Sequence, residues 1–306
     1  MPELPEVETI ARGLAKRVTG EVIESVWLGQ KREPLKSSVA EIASVLEHSR
    51  IAEVRRMGKH IVFDLNRVQQ APSSASSGRS KTKLKQSKPA VSTPHAKTGV
   101  RTRPTSLNAQ WIVHLGMTGR LQVCETHTEI AKHTHAILKL SSGRELRFVD
   151  PRRFGRLSVA SSGDFDATGI EPLEVDLERF VGLFHGRKTP IKSALLNQKL
   201  LRGVGNIYAD ESLFRAGIRP RRRAASITRE QLSKLHLSIQ QVLKEAIALG
   251  GSSVSDYVNA DGEEGFFQLQ HRVYGREGEP CLVCKTPIKR MVIAGRSSHY
   301  CPKCQK

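Results

Sequence analysis

Between Leu65 and Cys124 the chain has neither an aspartate nor a glutamate. Over all 306 residues, 49 Lys and Arg stand against 30 Asp and Glu, a formal charge of +19. A surplus of that size makes a polyanion the first-choice partner. No run of eighteen apolar residues exists, and no apolar signal-peptide core follows Met1, so nucleic acid is favoured over a membrane. Cysteine is scarce, with four of the five at the end, and without a secretory signal these are read as thiols rather than disulfides. No internal repeat is evident.

The segment from Asn66 to Asn108 is rich in Ser, Thr, Pro and Lys and poor in large apolar residues. It cannot bury enough surface to offset its ordering entropy, so residues 66–108 are expected to be a disordered basic insertion. Nine basic residues lie in it, and the rest of the chain still carries +10.

Around the insertion the pattern is that of strands. RIAEVRRMGKHIVFDL predicts two, joined at Met57-Gly58, and AQWIVHLGMTGRLQVC, HAILKLSSGRELRFVD and GRLSVA continue the alternation. Ahead of them, Val7, Ile10, Leu14 and Val18 predict a helix from about Pro5. The fold class expected is α+β: a β-sandwich with flanking helices to about residue 165, then helices from Leu173. Among these, TREQLSKLHLSIQQVLKEAIALGG has a capping box at Thr228 and Gln231, an apolar stripe from Leu232 to Ala246, and a stop at Gly250. Helix chemistry accounts for Pro5, Glu6 and Glu8 in the first turn. It does not account for Pro2.

Cys281, Cys284, Cys301 and Cys304 form CLVC and CPKC knuckles, a spacing suited to one tetrahedral Zn²⁺. Four protein ligands fill the shell, so the metal is read as structural. Cys124, in a strand pattern, is read as a small buried hydrophobe. The basic segment between the knuckles, with a turn at Ala294-Gly295 followed by Arg296, suits a phosphate or groove reader, or a protein-binding ribbon.

GVGN (Gly203–Asn206) permits unusual backbone conformations, with Asn206 as helix N-cap. The helix start, with Lys192, Lys199 and Arg202 nearby, suits a DNA phosphate; a tight interhelical turn explains the same residues. HLGMTGRL puts Met117 at an expected hairpin tip, and DPRRFGRL puts Arg152, Arg153 and Phe154 in another turn. Such residues usually tuck into a neighbouring groove. On DNA they can wedge between bases and fill the hole left by an extruded nucleotide. Lys59, in MGKH, is a solvated lysine or a phosphate ligand.

Taken together, PELPEVET, GKH, HLGMTGRL, DPRRFG, GVGNIYADESLF, VYGREGEPC and the terminal cysteines, in this order, resemble the formamidopyrimidine-DNA glycosylase family, bacterial repair enzymes for oxidised purines. The resemblance covers the chain except the insertion. It implies a two-layer β-sandwich catalytic domain (1–165), a helix–two-turn–helix DNA-binding domain (173–252) and a zinc finger (270–306). It also implies a role for Pro2. Once Met1 is removed, its secondary amine attacks C1′ and leaves an iminium that is cationic without a proton. An α-amino group titrates at about 7.7–8.0, far below the lysine value of about 10.4, and so is more often unprotonated at neutral pH.

The same resemblance makes Glu3 the proton donor, Glu6 a supporting carboxylate, and Lys59 and Arg296 the proton donors of β- and δ-elimination. Met117, Arg152, Phe154, Lys192 and Asn206 become DNA contacts, with Arg296 on a phosphate. It implies one structural Zn²⁺ per chain, double-stranded DNA with oxidised bases or abasic sites as partner, no membrane partner, and a monomer in the bacterial cytoplasm. Glu263 and Glu264 stand where the family's base-covering loop often has a lysine. An endonuclease VIII-like enzyme for oxidised pyrimidines, or a noncatalytic damaged-DNA-binding protein, remain the alternatives.

Overall fold

The apolar stripe of helix α1 (Leu4–Val18) is buried along its length, as its spacing requires. Glu6 accepts a hydrogen bond from the Glu3 backbone N–H at the helix start (2.8 Å), and Lys16 and Arg17 lie in the last turn, where the macrodipole favours cations. There follow β1 (Ile23–Leu28), α2 (Val39–Leu46), β2 (Ser49–Met57), β3 (His60–Arg67), β4 (Ala109–His114), β5 (Arg120–Cys124), β6 (Thr134–Leu140), β7 (Glu145–Val149) and β8 (Arg156–Ser161). The computed structural model describes residues 1–31, 33–68, 109–161, 165–253 and 264–306.

The strands form two four-stranded antiparallel sheets, in the orders β2-β3-β4-β8 and β1-β6-β7-β5. Phe63, Trp111, Val113, Leu121, Leu138 and Phe148 line one core with the α1 stripe. Strand β1 and helix α2 were not anticipated. β3 pairs directly with β4, Leu65 opposite Ala109, so the expected insertion interrupts one hairpin. Asn66 and Arg67 still belong to β3 and pair with β2, and residues 69–108 lie outside the described residues. Cys124 ends β5 only partly buried, a correction to its reading as a core residue.

HLGMTGRL is not a hairpin tip. β4 pairs with β3 and β8 while β5 pairs with β7, so this loop crosses between the sheets, as does the DPRRFG loop between β7 and β8. Period-two alternation cannot distinguish a hairpin from a change of sheet. Buried Asp150 ties the two crossovers together, accepting from Thr118 Oγ1 (2.6 Å) and the Gly155 N–H (2.7 Å). A Cβ on Gly116, whose φ is +65°, would fall 2.5 Å from the Phe154 carbonyl carbon, so only glycine allows the loops this close.

Beyond the sandwich come α3 (Leu177–Gly182), α4 (Ile191–Leu196), α5 (Asn206–Arg215) and α6 (Arg229–Ala248), then the hairpin β9 (Lys289–Ile293) and β10 (Arg296–Tyr300). The Thr228–Gln231 capping box forms, the α6 stripe is buried, and Gly250 follows the helix with φ +77°. Ala294 and Gly295 both take positive φ (49° and 72°), as a two-residue hairpin turn requires. A second core gathers Phe180, Leu195, Tyr208, Leu235 and Val242, and Leu4 belongs to it although Val7 belongs to the first. The start of α1 therefore lies on the seam between the two cores.

Asp150→Ala leaves the Thr118 hydroxyl and the Gly155 N–H without their acceptor. It should lower the unfolding free energy by about 2–4 kcal/mol, read as a lower urea midpoint with an unchanged slope.

Candidate active site

The Glu3 carboxylate accepts the Ile207 N–H (3.1 Å) and, more distantly, the Tyr208 N–H (3.5 Å), at the start of α5. Gly205 makes the approach possible, because a Cβ there would sit 2.2 Å from Glu3 Cδ. Gly203, at φ +88°, likewise makes room for the Leu4 side chain, and its carbonyl accepts the Leu4 N–H (3.0 Å). Burial pushes the Glu3 carboxyl up to about 7, and nearby Glu6 adds to the rise. The Lys59 cation and the α5 N–H groups pull the other way.

Glu6 is buried behind it. It accepts from the Glu3 and Ser252 N–H groups (2.8 Å each) and from the Tyr208 hydroxyl, and burial pushes its carboxyl up. Lys59 lies in the two-residue turn between β2 and β3, 9 % exposed. Burial lowers its ammonium below the usual range, opposed by Glu3, while the Arg296 cation lowers it further. Pro2, half-buried, directly precedes Glu3. The N-terminal residues, Lys59, the start of α5 and the cation of Arg296 thus converge from four separate parts of the chain. A carboxyl that titrates near 7 can exchange a proton at physiological pH, and Lys59 lies within electrostatic reach of it.

Two expectations change here. The first turn of α5 is not a bare anion site for a phosphate, because Glu3 already takes the Ile207 and Tyr208 N–H groups. Its N-cap is Gly205; Asn206 is the first helical residue, and its Nδ2 donates to Ser297 Oγ (3.3 Å). Lys192 is fully buried, pairs with Asp210 (2.7 Å) and donates to the Ser297 carbonyl (2.6 Å). In this structure it fastens β10, the strand that begins with exposed Arg296, to α4 and α5. Burial lowers the Lys192 ammonium, and Asp210 opposes that.

Asp210 also accepts the His299 N–H (2.9 Å), and its neighbour Glu211 accepts those of Arg272, Val273 and Tyr274 (2.9–3.0 Å). Neither acid was singled out from the sequence. The available signal was a pair of carboxylates inside IYADESLF, every residue of which is buried.

Met117 (41 %) and Phe154 (53 %) are exposed on the two loops that Asp150 ties together, and the Arg152 guanidinium stacks 4.8 Å over the Phe154 ring. Glu264 is exposed, and Glu263 lies outside the described residues.

The Sγ atoms of Cys281, Cys284, Cys301 and Cys304 lie within 4.8 Å of one another. Thiolates around a tetrahedral zinc stand about 3.8 Å apart, so the cluster fits one structural Zn²⁺. Among the described residues no helix is long and apolar enough to cross a membrane.

The chain matches three family models: the formamidopyrimidine-DNA glycosylase N-terminal domain over residues 1–157, the H2TH domain of the same glycosylase over 168–258, and a zinc finger found in FPG and IleRS over 278–306. It is 40 % identical to the formamidopyrimidine-DNA glycosylase of Solibacter usitatus over 100 % of both chains. The MutM (Fpg) protein of Thermus thermophilus has a similar crystal structure, at TM-score 0.77 and 38 % identity, covering 99 % of this chain and 98 % of that one. The wild-type Lactococcus lactis Fpg, solved with DNA containing N7-benzyl-Fapy-dG, aligns over 100 % of both chains at TM-score 0.81 and 29 % identity.

Ionising Glu3 costs the folded state more than the unfolded chain. Its contribution to stability is therefore present below pH 4.5 and lost as pH rises through about 7. Glu3→Gln keeps an acceptor for the α5 N–H groups and does not titrate. Relative to the parent it should gain stability from pH 5 to 8.5, on the order of 3 kcal/mol, measured by urea unfolding at both pH values.

Proposed function

The chain belongs to the formamidopyrimidine-DNA glycosylase family, and from that membership we infer a DNA-binding base-excision repair enzyme that removes oxidised purines and then cleaves the strand at the abasic site. The observation that carries the reading is the Glu3 carboxyl, bonded to α5 and pushed up to about 7 by burial, one residue from the nucleophile and within electrostatic reach of Lys59.

With Met1 removed, the Pro2 nitrogen forms a bond to C1′ of the damaged nucleoside as the base departs with the electrons of the glycosidic bond and takes up the proton that the nitrogen loses. Glu3 hands its proton to the sugar ring oxygen, the ring opens, and a C1′ iminium remains on Pro2. The iminium acidifies C2′–H. Loss of that proton to the Glu3 carboxylate, left ionised by the ring opening, with expulsion of the 3′ phosphate is β-elimination, for which Lys59 supplies the leaving group's proton, and Arg296 supplies that for δ-elimination of the 5′ phosphate. Glu6 holds the α1 start in place. Met117, Arg152 and Phe154 occupy the space that the extruded nucleotide leaves. Asn206 and Lys192 serve the DNA contact by orienting β10. The reading also places a monomer in the bacterial cytoplasm.

The lyase chemistry has a direct test. Borohydride reduction during turnover of a duplex holding 8-oxoguanine opposite cytosine should give a covalent adduct whose mass maps to an N-terminal peptide starting at Pro2. An adduct only with oxidised-pyrimidine duplexes would move the substrate class. Tight binding with no adduct on either would remove the catalytic reading.

A further inference from the structure

Arg56 has no part in the chemistry above, yet little of its charged side chain meets solvent. Its side chain is 7 % exposed and bonded in three directions. Nε donates to Glu8 of α1 (2.7 Å), and the two terminal nitrogens fork onto Glu171, 115 residues away (2.9 and 3.0 Å). One of them also donates to the Gly58 carbonyl in the Lys59 turn (3.3 Å). Glu171 accepts in addition from Arg202 (3.3 Å), which immediately precedes Gly203. The carbons of Arg202 lie against Gly58, where a Cβ would meet Arg202 Cβ at 3.3 Å.

We propose that Arg56 is a positioning residue for Lys59, holding the turn that carries the lysine in register with α1 and with the segment leading into α5. The inference rests on the lyase reading above.

Three observations support it. First, the Gly58 carbonyl, next to Lys59 in the chain, is bound by Arg56 itself, so the tip is held through its backbone. Second, a cleft of about 250 Å³ beside the turn is lined by Lys59, His60, His114, Phe165, Gln198 and Arg202, so on that face the tip has little packing beyond the Arg202 carbons. Third, the ions gain little by being buried, because desolvation offsets most of their attraction and an apolar cluster would hold the seam as well. What the charges add is direction: a planar fork of N–H donors reaches two carboxylates and a carbonyl in one geometry only. Glu8 reflects the match. Burial would push its carboxyl up, yet Arg56 and Arg12 hold it below the usual range.

The test separates elimination from Schiff-base formation on a duplex with a preformed abasic site. For Arg56→Gln, the single-turnover strand-cleavage rate should fall tenfold or more. The rate of borohydride trapping, which needs Pro2 but not Lys59, and the Kd for the same duplex should stay within threefold. Arg56→Lys keeps the charge without the fork and should fall in between. Glu171→Gln leaves Arg56 in place and should slow cleavage in the same direction, which keeps the test available if Arg56→Gln does not fold. Equal losses of cleavage and trapping would mean general structural damage and overturn the proposal, as would wild-type cleavage in both Arg56→Gln and Glu171→Gln. A parent protein unable to cleave abasic DNA would instead overturn the lyase reading itself.

Discussion

The bond between the Glu3 carboxylate and the first N–H groups of α5 joins the third residue of the chain to residues 207 and 208 across the seam between two hydrophobic cores. Burying a carboxyl is costly, and the structure offsets the cost in specific ways. The positive end of α5 faces it, Lys59 lies within electrostatic reach, and Gly205 gives up its side chain so that the contact can be made. The offset is incomplete, and that is functionally useful: the carboxyl titrates near 7 and can hold a proton when one is needed. Because Leu4 packs in one core and Val7 in the other, the short extended start bearing Pro2 cannot drift from this position without disturbing both.

The same logic places the zinc finger. A segment of this size has only a small core, Val273, Ile288 and the cysteines closed off by Phe214 of α5, and relies on its metal for fold and on α5 for position. Asp210 reaches β10 through Lys192 and the His299 N–H, while Glu211 gathers three N–H groups of the entry segment at 272–274. Two adjacent acids on one helix therefore orient both ends of the finger. Arg296 takes its place near Lys59 from this docking.

Much of this was legible in the sequence. The α1 stripe, the α6 capping box, the Ala294-Gly295 turn and the four zinc ligands are local patterns, and each formed where its spacing required. Gly203 and Gly205 were recognised as special, but the anion at the helix they precede is an internal carboxylate. The segments bearing Met117 and Phe154 read as turns, the first as a hairpin tip, whereas both cross between the sheets. Arg56, Glu171, Asp210 and Glu211 carried no local mark beyond being charges among apolar neighbours.

The amino-acid sequence by itself determined α1, α6, most strands of the sandwich and the four metal-binding cysteines, because periodicity, capping and ligand spacing act over a few residues, and its ordered motifs carried the family resemblance. Tertiary structure alone decided the partners of Glu3, Arg56 and Lys192, and with them which charges are bonded internally and which remain exposed. Those partners lie far along the chain, and a buried charge takes its energy from whatever groups the fold brings beside it.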